Sequence, residues 1–199
     1  MVRLSRCLMI LLVLGCFLHN VLESQAQNSS PVANDLPPDI NSIKKELVVF
    51  QGIVDATLKQ HLPGPFSLLG STKGTYLPEY GAVFNVEVNV YQIRQLSPFD
   101  LRPLSQKELT DAYDQMLARI KTIKGLLVKT IGDHGTSLDL LKPEENVTVV
   151  AHLFAAGPDP KREFPSQVVF SAKKSVIEEY RERKLSLEEF AKGMRVLQY

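Results

Sequence analysis

The chain of 199 residues contains two cysteines and no tryptophan. Both cysteines, Cys7 and Cys16, lie close to the N-terminus. The rest of the chain can therefore form no disulfide, and it can supply no thiol nucleophile or cysteine metal site. Such a chain must be held by its hydrophobic core alone. A cysteine-free chain is unusual for the eukaryotic secretory route, where disulfides are common.

The sequence also has no excess of charge of one sign. It contains 23 basic and 22 acidic residues, for a formal net charge of +1. A balanced chain has no general attraction to nucleic acid or to anionic lipid, so we expect no nucleic-acid partner. Hydrophobic residues make up 44% and charged residues 23%, which is typical of a folded globular protein and not of a disordered one.

A long apolar run occurs at the N-terminus. Arg3 and Arg6 precede a nearly apolar stretch over residues 7–18, and small residues flank the middle position of Ser24-Gln25-Ala26. This pattern predicts a secretory signal peptide over residues 1–26, cleaved after Ala26, and a periplasmic or extracellular location. The run is too short for a comfortable membrane span, so we expect no transmembrane span in the mature chain.

An alternative interpretation of the N-terminus is a lipid anchor. The segment Val13-Leu14-Gly15-Cys16 is similar to the lipobox of bacterial lipoproteins, and it would anchor the chain at Cys16. Arg6 lies close to that cysteine, and the cleavage pattern at Ala26 is better placed. These two features favour cleavage after Ala26.

The remainder predicts a flexible leader over residues 27–39, which is polar and contains three prolines, followed by a single α+β domain over residues 40–199. Steps of three and four between apolar residues indicate helices, and alternation indicates strands. The expected order is αββαββαα, with an antiparallel four-stranded sheet of two hairpins and helices packed on one face. The predicted elements are a helix from Ile40, strands at 71–77 and 82–92, a helix at 105–131, strands at 146–155 and 166–173, and helices at 176–183 and from Ser186 onward.

Two helix starts carry a specific signature. Ser105 with Glu108, and Ser186 with Glu189, have the spacing of a capping box, in which each residue satisfies a backbone donor at the other. We expect the second of these helices to place Leu187, Phe190, Met194 and Leu197 on one side.

The familiar catalytic motifs are missing. The sequence has no G-x-S-x-G elbow, no H-E-x-x-H and no Rossmann glycine pattern, and the glycines and lysine of residues 70–75 have the wrong order for a P-loop. We therefore expect no catalytic residue, no metal and no cofactor. His61 and the pair Asp133-His134 are interpreted as polar residues at helix ends.

The candidate site is the polar face of the predicted sheet. If Phe84 and the alternate valines of its strand face the helices, then Asn85, Glu87, Asn89 and Tyr91 face away, and the same alternation places His152 outward on the next hairpin. This face is either a binding surface or a solvated sheet face, and alternation alone is consistent with both. The apolar residues Phe154 and Val169 favour a covered or partner-binding patch.

The sequence thus favours an exported cell-envelope protein that acts by binding, with an envelope protein or a small ligand as partner. The alternative is a periplasmic hydrolase or metal-dependent enzyme that uses His152 with Glu87, or His134 with Asp133. Oligomeric state stays open, as does glycosylation at the Asn28 and Asn146 patterns.

Overall fold

The computed structural model describes residues 40–62, 68–90, 105–154 and 164–199. The predicted signal peptide, the leader and the candidate residue Tyr91 lie outside these ranges. Within them, the structure contains no helix that is both long and apolar enough to span a membrane.

The described ranges form an α+β structure of four α-helices and a five-stranded mixed sheet. One short 3-10 helix, Gly135–Ser137, follows the second α-helix. The elements in chain order are α1 (Ile40–His61), β1 (Lys73–Leu77), β2 (Gly81–Asn89), α2 (Gln106–His134), β3 (Asn146–Phe154), β4 (Gln167–Lys173), α3 (Lys174–Arg181), α4 (Leu187–Gly193) and β5 (Arg195–Gln198).

The strands lie side by side in their sequence order, from β1 to β5. Both predicted hairpins, β1–β2 and β3–β4, are present and antiparallel. The prediction of a wholly antiparallel sheet is wrong, because β2 and β3 pair in parallel from Gly81↔Asn146 to Asn89↔Phe154. The intervening α2 returns the chain to the end of the sheet at which β2 began, and a parallel neighbour requires such a crossover.

The expected count of four strands is also wrong. The helix that begins after Ser186 ends at Gly193, and Met194 is already extended, with ψ 144°. The next four residues form β5, antiparallel to β4, with Leu197 opposite Val169. The apolar spacing that suggested a longer helix therefore combines residues from a short helix and from an edge strand.

Both predicted capping boxes are confirmed. The Ser105 hydroxyl accepts a hydrogen bond from the Glu108 N–H, and the Glu108 carboxylate accepts one from the Ser105 N–H at 2.8 Å. Ser186 and Glu189 repeat the arrangement at the start of α4. These bonds satisfy donors that a helix N-terminus otherwise leaves free.

One face of the sheet packs against the helices to form the core. The ring of Phe50, on α1, lies 4.6 Å from the ring of Phe84, on β2, measured between centroids. The apolar stripe of α2, with Ile123 and Leu127, is buried in the same core. The opposite face, called the open face below, carries mostly exposed or half-buried side chains, of which Thr148 is a buried exception.

The parallel pair begins at a tight contact. Gly81 has φ +119°, and a Cβ atom there would lie 2.1 Å from the carbonyl oxygen of Asn146, so glycine is required on both counts. The Tyr80 carbonyl accepts hydrogen bonds from the Asn146 backbone N–H at 2.7 Å and from its side-chain amide at 3.1 Å. The preceding residue, Glu79, adopts φ 67°. The β1–β2 turn and the start of β3 are thereby fixed to each other.

Candidate functional site on the open face of the sheet

Strand register brings the polar candidates of two strands together. Glu87 on β2 lies directly opposite His152 on β3, and His152 lies opposite Gln167 on β4. Gln167 in turn exchanges backbone hydrogen bonds with Tyr199, just beyond β5. Side chains at such paired positions share one face of a sheet. Glu87, His152, Gln167 and Tyr199 therefore form one row across the open face.

Asn85 and Asn89 flank this row. The Nε2 atom of His152 lies 3.4 Å from the Oδ1 atom of Asn85, at the long limit of a hydrogen bond. Asn89 lies opposite Phe154 on β3. Of the five residues named from the sequence, the structure thus brings Asn85, Glu87, Asn89 and His152 together, and the fifth lies outside the described ranges.

The row lies near the carboxyl ends of the two parallel strands. Because β2 and β3 run in the same direction, Asn89 and Phe154 end them at the same edge of the sheet. Two aromatic residues are exposed here, Phe154 beside the row and Tyr199 at its end, with 50% of Phe154 and 65% of Tyr199 accessible to solvent. Hydrogen-bonding groups and apolar area therefore occur together here.

Farther from this end, the open face carries apolar side chains and then side chains with hydroxyl groups. Val150, Val169 and Leu197 lie opposite one another on β3, β4 and β5, and all three are half-buried. Beyond them, the Thr148 hydroxyl lies 3.0 Å from the Tyr80 hydroxyl and 2.9 Å from that of Ser171. This hydroxyl chain ties the β1–β2 turn to β4.

Sequence reasoning missed two members of the row. Gln167 could have been found by alternation, since it lies two positions before Val169, which the sequence places on the same face. Tyr199 had no such signal, because it joins the row only through β5, which the helical spacing concealed.

No protein-family model, curated protein or solved structure matches this chain.

The Asp133–His134 pair forms part of a helix end. The Asp133 carboxylate accepts a hydrogen bond from the Lys129 ammonium at 2.7 Å and one from the Tyr180 hydroxyl at 3.1 Å. Partial burial acts to raise the pKa of Asp133, but these two hydrogen bonds, together with nearby positive charge, outweigh it and hold the pKa below its ordinary value. Both carboxylate oxygens are therefore engaged, one with Lys129 within α2 and the other with Tyr180 on α3.

His61 also lies at a helix end, and the described residues bear on the metal hypothesis. The Nδ1 atom of His61 lies 2.8 Å from the Thr57 carbonyl, within the last turn of α1. Among the residues that the structure describes, no group of three or more His, Cys, Asp or Glu side chains is placed to hold a metal ion.

Two buried ionisable groups serve to hold the fold. Glu145, 1% exposed, accepts hydrogen bonds from the Tyr76 hydroxyl at 2.7 Å and the Lys142 N–H at 2.8 Å. Burial, together with the Glu145 carboxylate, raises the pKa of Tyr76 to about 12. Lys174, 2% exposed, donates to the carbonyls of Thr136 and Leu138 at 3.0 Å each. The Tyr76 bond and the two Lys174 bonds join segments that are distant in sequence, whereas the Lys142 bond is local.

Proposed function

We propose that this chain is an exported cell-envelope protein that acts by binding, and that the carboxyl ends of β2 and β3 on the open face form its binding surface. One observation carries the proposal: the polar side chains of Glu87, His152 and Gln167 share one face of the sheet with the exposed residues Phe154 and Tyr199.

The chemistry of this surface suits recognition. Glu87 supplies a carboxylate acceptor, and His152, Asn85 and Asn89 supply side chains that both donate and accept hydrogen bonds. Aromatic residues dominate the energetics of many interfaces, since each buries 150–250 Å². Covering the exposed halves of the two rings would contribute roughly 2 kcal/mol each.

The extent of the surface favours a protein partner over a small ligand. The row crosses four neighbouring strands, which at about 4.8 Å per strand spans roughly 14 Å. A small ligand is too short to contact the whole row, whereas a segment of a protein partner extends over that distance. We therefore propose an envelope protein as partner and treat a small ligand as an outcome of the experiment.

The test is site-specific photo-cross-linking in the source cells, with the cross-linker at Phe154. The matched control carries it at Leu140, which is 40% exposed and lies outside the sheet. We expect one reproducible adduct with an envelope protein from Phe154, lost on Glu87→Ala with His152→Ala, and none from Leu140. Equal adducts at both sites, or an adduct that survives the double substitution, would contradict the binding surface.

The export hypothesis has its own test. N-terminal sequencing of the product from the source cells should start at Gln27, as cleavage after Ala26 requires. A lipid-modified product that begins at Cys16 would instead support the anchored form.

An enzyme remains the second candidate, because Glu87 and His152 are direct cross-strand neighbours, as an acid–base pair would need. Stoichiometric zinc in protein purified without a tag, lost on His152→Ala, would support this alternative. Under the binding proposal we expect no rise in melting temperature on adding zinc, because a ligand that does not bind the folded state cannot stabilise it.

A further inference from the structure

A second surface lies on α1, on the side that faces away from the core. The core side of this helix is apolar, as expected, through Ile43, Leu47, Phe50, Val54 and Leu58. The opposite side carries residues at positions i, i+3, i+4, i+7, i+11 and i+14, which share one helical face. We call this face the outer stripe; it consists of Lys45, Val48, Val49, Gly52, Ala56 and Lys59.

The centre of the outer stripe is unusually apolar for a solvent-facing side. Val48 is 59% exposed and Val49 is 55% exposed. A helix with apolar residues on opposite sides is typical of one that is covered on both. Because the core covers only one side, the other side of α1 suits contact with a further molecule.

Gly52 adds a second anomaly at the centre of the stripe. A Cβ atom at Gly52 would meet nothing within 4 Å, so no contact inside the described structure requires glycine there. Glycine in a helix interior costs about 1 kcal/mol relative to alanine. A small residue at this place, followed by Ala56 one turn later, allows another helix to approach closely.

Charge indicates what kind of helix fits. Exposed Lys45 and Lys59 border the apolar centre at its two ends. The acidic residues of α1 lie off the stripe, where the Asp55 carboxylate accepts hydrogen bonds from Thr72 and the Glu46 carboxylate accepts one from the Leu140 N–H. The stripe is therefore cationic at both ends.

The same charges argue against two other occupants. A second copy of the stripe would place lysine against lysine, whether the two helices ran parallel or antiparallel, and like charges at such positions are destabilising. A membrane surface is favoured by large apolar or aromatic side chains such as Leu, Phe and Trp, whereas this stripe offers valine, glycine and alanine.

We propose that the outer stripe of α1 docks an acidic amphipathic helix of a partner protein. The stripe extends over the 15 residues from Lys45 to Lys59, or about 21 Å, which accommodates roughly four helical turns. The apolar face of the partner would pack on Val48, Val49 and Gly52, and its acidic residues would meet the two lysines. This proposal is independent of the binding surface on the open face, since α1 packs on the other side of the sheet.

The test measures binding of the purified protein to a synthetic helical peptide of about six turns, with alanine and leucine on one face and glutamate elsewhere. A control peptide carries lysine in place of every glutamate. We expect the acidic peptide to bind and the basic one not to bind. Lys45→Glu with Lys59→Glu should weaken the binding of the acidic peptide at least about tenfold.

Gly52→Leu distinguishes between the possible binding partners of the outer stripe. The larger side chain should weaken peptide binding at least about tenfold by blocking close approach. Gly125→Leu, at a helical glycine of α2 that is equally free of neighbours, should leave peptide binding unchanged. Both variants should retain the fold, which circular dichroism and a melting curve check.

Three kinds of result would overturn the proposal. One concerns the acidic peptide, which would either fail to bind or bind equally to wild type and to Gly52→Leu. Another is binding to phosphatidylglycerol–phosphatidylcholine vesicles that Gly52→Leu strengthens, which would indicate a membrane surface. The third is self-association in sedimentation equilibrium that Gly52→Leu abolishes, which would indicate a second copy.

Discussion

The contact between the half-buried Tyr76 and the buried Glu145 gives a direct test of how this fold is held together. The Tyr76 hydroxyl donates to a carboxylate oxygen that is almost fully removed from solvent. Tyr76→Phe removes the hydroxyl and little else, so the Oε1 atom of Glu145 loses this donor while its Oε2 atom keeps the Lys142 N–H. The substitution thus removes a single hydrogen bond to a buried charge.

The expected loss is large for a change of one atom. A hydrogen bond to a charged group contributes about 1.5–3 kcal/mol, and a buried acceptor left without its partner bears its desolvation cost in full. We therefore expect Tyr76→Phe to lower the free energy of unfolding by about 2 kcal/mol. For a chain of this size, that corresponds to a fall in melting temperature of about 4–8 °C.

The same contact predicts a pH dependence. Because the pKa of Tyr76 is raised from 10.0 to about 12, the folded state holds this proton more tightly than the unfolded state. The resulting contribution to stability is complete below pH 10 and is lost as the pH rises toward 12. Tyr76→Phe should abolish that part of the alkaline decline, because phenylalanine does not titrate.

Urea unfolding of four proteins provides the assay: wild type, Tyr76→Phe, Glu145→Gln and the double variant. The double-mutant cycle isolates the coupling between the two side chains, which we expect to be about 1–2 kcal/mol. Tyr80→Phe is the matched control, since that tyrosine is 41% exposed and its hydroxyl bonds to Thr148. The reasoning fails if Tyr76→Phe costs less than about 0.5 kcal/mol, or costs as much in the Glu145→Gln background.

Three further substitutions test the backbone and the buried lysine by chemical denaturation. Gly81→Ala should cost at least about 3 kcal/mol, because its Cβ would collide with the Asn146 backbone, whereas Gly125→Ala should add about 0.5–1 kcal/mol, and equal effects would contradict the stated geometry. Glu79→Gly should stabilise by up to about 1 kcal/mol, since φ 67° strains a residue with a side chain, and a loss would show that Glu79 makes compensating contacts. Lys174→Met should cost about 2–4 kcal/mol by leaving two carbonyls without their donor, and a neutral result would show that these carbonyls find other partners.

The sequence predicted local structure well because local structure has local causes. The capping boxes at Ser105 and Ser186 depend on residues three positions apart, and the apolar stripe of α1 depends on steps of three and four. The β1–β2 and β3–β4 hairpins likewise depend on alternation and on the segments that join their strands. Each of these patterns is contained in a short stretch of sequence.

The parallel pairing of β2 with β3 had no such local cause. It depends on where the chain emerges from α2, and on the fit between Gly81 and the Asn146 backbone. β5 was hidden for a related reason, since Met194 and Leu197 fit a helical spacing as well as a turn into a strand. Tertiary pairing decided both cases.

The same distinction between local and tertiary causes applies to the candidate site. Alternation placed Asn85, Glu87, Asn89 and His152 on one face, and the structure agrees for each. It could not show that Glu87 and His152 are neighbours, because that follows from the register of a parallel pair across the α2 crossover.

The parallel pairing of β2 with β3 also predicts an order in which the chain folds. Each hairpin closes a comparatively short segment, whereas the hydrogen bond between Tyr80 and Thr148 joins positions 68 apart. Closing so long a loop costs entropy before any contact repays it, so we expect pairing across β2 and β3 to form late. Until then the inner edge of β2 offers free backbone groups to any other extended chain. Aggregation during folding should therefore begin at this strand, which is covered on both edges in the finished protein.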